Sequence, residues 1–316
     1  MKYVAAFAMA FTIVYFLIPV LSKLSYKIGF LDMPNERKIH KQPVPVMGGI
    51  GMFIGFVTVF LIFVRHEGDK TLAVLIGSLL IIGIGIVDDW YKTHGKEFPA
   101  LPKFVVQIAS AVLVYQSGIV FWGFNNPFTH TDVVLSVWMQ FFFTIMWIFG
   151  VTTVINFSDG MDGLAGGIST ISATTLFIVA LIKQQPISAM MAIILVGAII
   201  GFLRYNRYPA RIFMGDSGAT FLGFILSIIA LDGTFKQATV LSIFIPVLAL
   251  GVPIFDNIFV VFKRIKERKP IYKADRSQIH FRLLSHGLNQ KQVVVFLYLV
   301  SLCLSLTSII VLLISA

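Results

Sequence analysis

The chain has 316 residues, of which 57% are hydrophobic and 13% charged, with a formal net charge of +10. A soluble domain carries about 25% charged residues, so a mean hydropathy of +0.89 excludes an ordinary soluble fold. The basic excess calls for no nucleic acid, because an anionic leaflet or a polyanionic substrate accounts for it equally well.

Ten apolar stretches are predicted as helices, each near the length of about 20 residues that crosses a bilayer. They cover 3–21, 48–64, 71–87, 103–122, 134–155, 164–182, 187–203, 218–231, 238–262 and 293–315. The expected fold class is all-α, a single polytopic membrane domain over 1–316. The first stretch is read as a retained helix, since Pro19-Val20-Leu21 runs into Ser22-Lys23 without a small-x-small cleavage site. The single cysteine, Cys303, lies inside the last stretch, so no disulfide framework or thiolate metal site is available. No internal repeat stands out.

Numbering the loops in order, the odd ones with the adjoining Lys103 hold twenty of the 25 basic residues. Basic residues mark the cytoplasmic side, so the odd loops are expected there and both termini outside. Eleven of the fifteen acidic residues fall on the same side or near it. Acids contribute little to orientation, so that clustering points to carboxylate chemistry on this face.

Four constellations follow in chain order. Asp88-Asp89 closes the third stretch, with Lys92, Lys96 and Lys103 soon after. Adjacent carboxylates repel, and keeping both ionised calls for a cation or nearby lysines; alternatively the pair only marks the helix end. Asn156-Phe157-Ser158-Asp159-Gly160-Met161-Asp162-Gly163 carries two Asp-Gly steps that permit a tight turn presenting both carboxylates. The bland alternative is a helix connection with polar caps. Arg204, Arg207 and Arg211 precede Phe213-Met214-Gly215-Asp216, a set suited to phosphate and Mg²⁺. One or more of these arginines serves equally well as a positive-inside anchor. The last loop holds Arg276, His280 and Arg282; a lone histidine carries little by itself. Asp256 lies inside the ninth stretch, a functional candidate or a partner of Lys263 and Arg264. No soft-metal, nucleophilic-serine or Walker pattern appears. Oxygen ligands, basic residues and glycine turns on one membrane face suit phosphoryl transfer.

These motifs resemble those of the polyprenyl-phosphate N-acetylhexosamine-1-phosphate transferases. The resemblance runs from Pro45-Val46-Met47-Gly48-Gly49 through Asp88-Asp89 and the 156–167 run to 213–218, 253–257 and His280. It implies a fold of ten or eleven helices with a cytoplasmic active site in a bacterial cytoplasmic membrane. It also implies transfer of N-acetylglucosamine 1-phosphate from UDP-GlcNAc to undecaprenyl phosphate, releasing UMP, at the first membrane step of a teichoic acid-type polysaccharide. The peptidoglycan branch, which uses UDP-MurNAc-pentapeptide, is the alternative; a secondary transporter is the distant one. The GlcNAc branch typically reads His-x-His-His in the last loop, where this chain has Gln278, Ile279, His280 and Phe281.

By the same resemblance, Asp88 deprotonates or positions the lipid phosphate, with Asp89 beside it near the metal. Asp216 is the expected ligand of Mg²⁺, with Mn²⁺ as a substitute, and Asp89 and Asp159 are further metal candidates. Asn156, Asp159, Asp162, Asn206, His280, Arg276 and Arg282 are expected around the nucleotide sugar. Lys103 and Arg204 are expected on phosphate, mainly from their charge. A homodimer is compatible with this reading.

Overall fold

The computed structural model describes residues 1–34, 42–64, 68–125, 132–234, 240–268 and 277–315. Hydrocarbon offers no water to backbone amides, so an apolar chain satisfies them within helices. The helices among the described residues are α1 (Lys2–Ile28), α2 (Gly48–Phe63), α3 (Asp69–Thr93), α4 (Ala100–Gln116), α5 (Val137–Phe157) and α6 (Leu164–Ile182). They continue with α7 (Pro186–Asn206), α8 (Gly215–Thr234), α9 (Val240–Ala249), α10 (Gly251–Lys266), α11 (Ile279–Ser285) and α12 (Gln290–Ser315). Two short antiparallel ribbons join them. One pairs β1 (Leu31–Asp32) with β2 (Val44–Pro45), the other β3 (Gly123–Asn125) with β4 (Asp132–Val134). Helices α1, α3, α5, α6, α7, α8 and α12 are long and apolar enough to cross a membrane, and α2 and α4 are shorter apolar helices. This is a multi-pass membrane protein.

The ninth expected stretch, 238–262, does not form one helix. It divides at Leu250 into α9 and α10, with Pro246 and Pro253 on either side. Proline lacks the amide that would bond four residues back. Pro253 therefore leaves the Ala249 carbonyl free, and Ser172 of α6 donates to it at 2.6 Å. Next to Pro246, Ser308 of α12 donates to the Ile245 carbonyl at 2.8 Å.

Helix α8 is the axis of the bundle. Helices α2, α3, α5, α6, α7 and α9 pack on it, and Ala219, Phe221, Leu222, Phe224 and Ile225 are fully buried. A helix apolar all round belongs in such a position. Its antiparallel partner α3 is fastened at both ends. At one end Gly85 lies against the Ser217 backbone with no room for a Cβ. At the other, Lys70 Nζ is 2.9 Å from Asp232 Oδ1, and Ser188 donates to Asp232 Oδ2 at 2.9 Å.

The close approach at Gly85 is testable against Gly83 in the same helix, where a Cβ would meet nothing within 4 Å. Gly85→Val is expected to destabilise by about 1–3 kcal/mol or more, lowering the thermal midpoint in detergent, whereas Gly83→Val leaves it nearly unchanged. Equal tolerance of both substitutions would refute the packing argument.

Candidate active site

Two sequence motifs build the frame of the site through their backbones. Val46 N–H donates to the Phe30 carbonyl at 3.3 Å, and Phe213 N–H donates to the Pro45 carbonyl at 2.8 Å. Gly48 and Gly49 N–H then donate to the Phe213 and Met214 carbonyls, each at 3.0 Å. The 45–49 segment is thus stitched to the 213–216 turn where α8 begins. Gly215 turns the chain there with φ 72°, a left-handed conformation that glycine adopts without strain.

Asp89, buried at the end of α3, caps that helix start. Its Oδ1 accepts the Asp216 N–H at 2.8 Å and its Oδ2 the Ser217 N–H at 3.1 Å. The first amides of a helix have no partner within it and carry partial positive charge, so they solvate this carboxylate in place of water. The adjacent Asp88 is also buried but faces cations. Lys103 Nζ donates to its Oδ1 at 3.1 Å, and Lys92 Nζ lies 3.1 Å from Oδ2 in an ion pair not aligned as a hydrogen bond. Lys92 also reaches Asp216 Oδ2 at 2.6 Å. The row Lys103, Asp88, Lys92, Asp216 alternates in sign.

The 158–163 turn brings the second pair of carboxylates. Asp162 Oδ2 accepts the Ala210 N–H at 2.9 Å. Asn206, buried, accepts the Gly163 N–H at 3.0 Å and donates to the Ile212 carbonyl at 2.9 Å. Both ends of its amide are therefore engaged in joining this turn to the 207–214 segment. From the other side, Tyr298 of α12 donates to the Gly163 carbonyl at 2.5 Å. Burial, with the negative charges of Asp216 and Asp89 nearby, raises the Asp159 carboxyl from 3.8 to about 8.

The last loop differs from expectation. His280 is 1% exposed, not a surface residue, and its ring packs against Gly160, where a Cβ would collide with it. Burial lowers its pKa from 6.5 to about 4, so it is neutral and adds no charge for a pyrophosphate. Asp256 pairs with neither Lys263 nor Arg264 but accepts the Ile279 N–H at 2.8 Å and lies 3.4 Å from Arg282 Nη2. Arg282 also sits 3.9 Å above the Phe259 ring. Arg276 lies outside the described residues.

A cavity of about 910 Å³ opens beside these groups, lined by Asp89, Lys92, Lys96, Asp159, Asp162, Asn206, Tyr208, Phe213, Asp216 and Phe281, among others. Asp88, Lys103, Asn156, Arg204, His280 and Arg282 are not in its lining; Arg204 is exposed at the end of α7. Lys92, read in the sequence only as one of the lysines near the Asp88-Asp89 pair, joins Asp88 to Asp216, a link that sequence reasoning missed. Its signal was the i,i+4 spacing from Asp88, which places two side chains on one helix face. Among the described residues no three His, Cys, Asp or Glu side chains form a metal cage. Mg²⁺ needs none, since it uses one or two carboxylates and completes its shell with phosphate and water oxygens. Asp216 and Asp159 offer hard oxygen donors in the cavity, and a cation there would favour the ionised form of the Asp159 carboxyl, which burial and the neighbouring Asp216 and Asp89 disfavour. The donor set fits.

Comparison with known proteins gives concordant matches. A family model described as glycosyl transferase family 4 matches residues 71–234. The chain is 37% identical to a probable undecaprenyl-phosphate N-acetylglucosaminyl 1-phosphate transferase of Bacillus subtilis, across 98% of this chain and 85% of the relative. It is 31% identical to a decaprenyl-phosphate N-acetylglucosaminephosphotransferase of Mycobacterium tuberculosis, across 91% and 77%. A phospho-N-acetylmuramoyl-pentapeptide-transferase of Listeria monocytogenes is 34% identical, across 70% and 72%.

The buried histidine yields a pH prediction. With a folded pKa below the unfolded 6.5, its neutral burial stabilises the protein fully above pH 6.5. That stability is lost as pH falls from 6.5 towards about 4. The loss is on the order of 3 kcal/mol, read as a falling thermal midpoint in detergent. His280→Gln is expected to flatten that part of the profile; a parallel profile in the variant would show that another group titrates.

Proposed function

The chain belongs to glycosyl transferase family 4, and from that premise we propose that it transfers N-acetylglucosamine 1-phosphate from UDP-GlcNAc to undecaprenyl phosphate. The products are undecaprenyl-diphosphate-GlcNAc and UMP. The observation that carries this reading is the alternating row of Lys103, Asp88, Lys92 and Asp216 beside a cavity walled by Asp159 and Asp162. We place this end of the bundle on the cytoplasmic side, on the bias of basic residues.

In this reading the 910 Å³ cavity takes the nucleotide sugar, a volume within the range of ligand sites of about 300–1,000 Å³. An oxygen of the lipid phosphate attacks the β-phosphorus of the donor. As that P–O bond forms, the bond to the bridging oxygen breaks, and its electron pair leaves with UMP. Mg²⁺ held by Asp216 and Asp159 would neutralise pyrophosphate charge and ease departure of UMP. Lys92 and Lys103 draw the acceptor phosphate towards the donor against their mutual repulsion. Asp88 has both oxygens on these lysines, so it acts as the anion that positions them rather than as a base on the substrate. Asp89 similarly works through α8, whose first turn presents Asp216. Asp162 and Asn206 shape the cavity wall through the 207–214 segment.

Purified protein with Mg²⁺ and a polyprenyl phosphate is expected to release UMP from UDP-GlcNAc, in preference to UDP-GalNAc or UDP-MurNAc-pentapeptide. Chelation with EDTA abolishes release. Asp216→Asn is expected to lower turnover at least about a hundredfold, the scale of losing one preorganised electrostatic group. Near-normal turnover of that variant in saturating Mg²⁺ would remove Asp216 from the proposed ligand set.

Asp88→Asn is expected to cut turnover while leaving UDP-GlcNAc affinity, measured by calorimetry, within about threefold, because the buried ion pairs it supplies serve the acceptor lysines. Equal loss of donor affinity would contradict that division.

A further inference from the structure

Asp256 is a carboxylate that the chemistry above does not use. Its side chain is 11% exposed, it is absent from the cavity lining, and it faces α11. That helix has seven residues, too few to hold together by its own hydrogen bonds. Its N-cap residue, Gln278, makes no side-chain cap bond. The capping carboxylate comes instead from α10: Asp256 Oδ1 accepts the Ile279 N–H at 2.8 Å.

Other contacts extend that tether towards the site. Arg282, one turn further along α11, lies 3.4 Å from the same oxygen and stacks over Phe259, also of α10. The Gln278 side chain donates to the Phe157 carbonyl at 3.3 Å, just before the carboxylate turn. His280 is pressed on Gly160, between Asp159 and Met161. Met161 and Leu164 share an apolar cluster with Val252 of α10 and Val293 of α12. Anchored so, α11 sets Phe281 in the cavity wall.

We propose that Asp256 is a positioning residue for the donor substrate: it latches α11 to α10 and, through His280, holds the Gly160 turn so that Asp159 and Asp162 face the cavity. The lysines assigned to the acceptor sit on α3 and α4 and are held by Asp88 and Asp216 instead. Loss of the latch therefore falls on the donor side. The donor assignment rests on the function proposed above; the latch itself does not.

The test compares wild type with Asp256→Ala, Asp256→Asn, His280→Ala and the Asp256→Ala/His280→Ala double variant, each full-length in detergent. Hydrogen–deuterium exchange, which needs no substrate, is expected to quicken in 156–163 and 279–285 of Asp256→Ala and to stay unchanged along α8. In kinetics, Asp256→Ala raises KM for UDP-GlcNAc about tenfold and leaves KM for polyprenyl phosphate within about twofold, the scale of one lost hydrogen bond to a charged group. Asp256→Asn, which keeps an oxygen for the Ile279 amide, recovers part of the loss. The double variant is no worse than the weaker single one, since both residues act in one unit.

Unchanged exchange in both segments overturns the latch. Quickened exchange with equal rises in both Michaelis constants, or with additive single effects, overturns the donor-positioning role. If wild type releases no UMP from UDP-GlcNAc, the proposed function fails, and the exchange result alone decides the latch.

Discussion

The bond pair from the Asp89 carboxylate to the first amides of α8 is the contact on which the rest of the site depends. A carboxylate at the end of one membrane helix meets the unsatisfied, partially positive start of another. Each partner removes the desolvation cost of the other. Hydrogen bonds to a charged group contribute about 1.5–3 kcal/mol each. The contact requires that α3 and α8 approach closely, which Gly85 allows, and that the chain turn sharply at Gly215. Once made, it fixes Asp216 at the rim and, four residues beyond Asp88, leaves Lys92 between two carboxylates.

The same pairing rule explains how so many ionisable groups stand together beside an apolar bundle. An isolated buried charge is costly, so charges here come in alternating order or on backbone amides. Asp88 takes two lysines, Asp89 two amides, Asp162 one amide, and Asp232 at the far end Lys70 and Ser188. Asp159 is the exception. Its raised pKa records that the compensation is incomplete in the cavity, where a polyanionic substrate and a divalent cation would bring their own charges. The rim built from α10, α11 and α12 encloses this turn from the other side, with Tyr298 and His280 as its inner contacts.

The two departures from the family pattern in the last loop also find places. Gln278 tethers the loop to the end of α5, and Phe281 lines the cavity. Neither position supplies the imidazole that the resemblance leads one to expect there. The remaining histidine, His280, has its Nε2 without a hydrogen-bond partner among the described residues, a packing role that surface-loop reasoning does not anticipate. Arg282, expected on the donor, is likewise drawn to Asp256 and Phe259.

Composition alone determined that this is a helical membrane protein, because hydrocarbon admits few charges and leaves backbone amides no other partner. Sequence spacing located most helix spans and gathered the carboxylates into four segments, since apolar runs and glycine turns are local signals. The division at Leu250 was not legible as such: Pro246 and Pro253 announce a disturbance, but a serine on α6 decides how the carbonyl freed by Pro253 is satisfied. Roles within the site lay further out of reach. Asp88 and Asp89 are neighbours in sequence, yet one faces lysines and the other a helix start. Consecutive helical residues point about 100° apart, so what each meets depends on which helix packs there. Asn206 and His280 carry polar groups that a linear reading assigns to the ligand, and Asp256 one that it leaves as a functional candidate or a partner of Lys263 and Arg264; the tertiary structure engages all three with chain segments far away in sequence. A side chain's chemistry is written in the sequence, but its partner is chosen by packing.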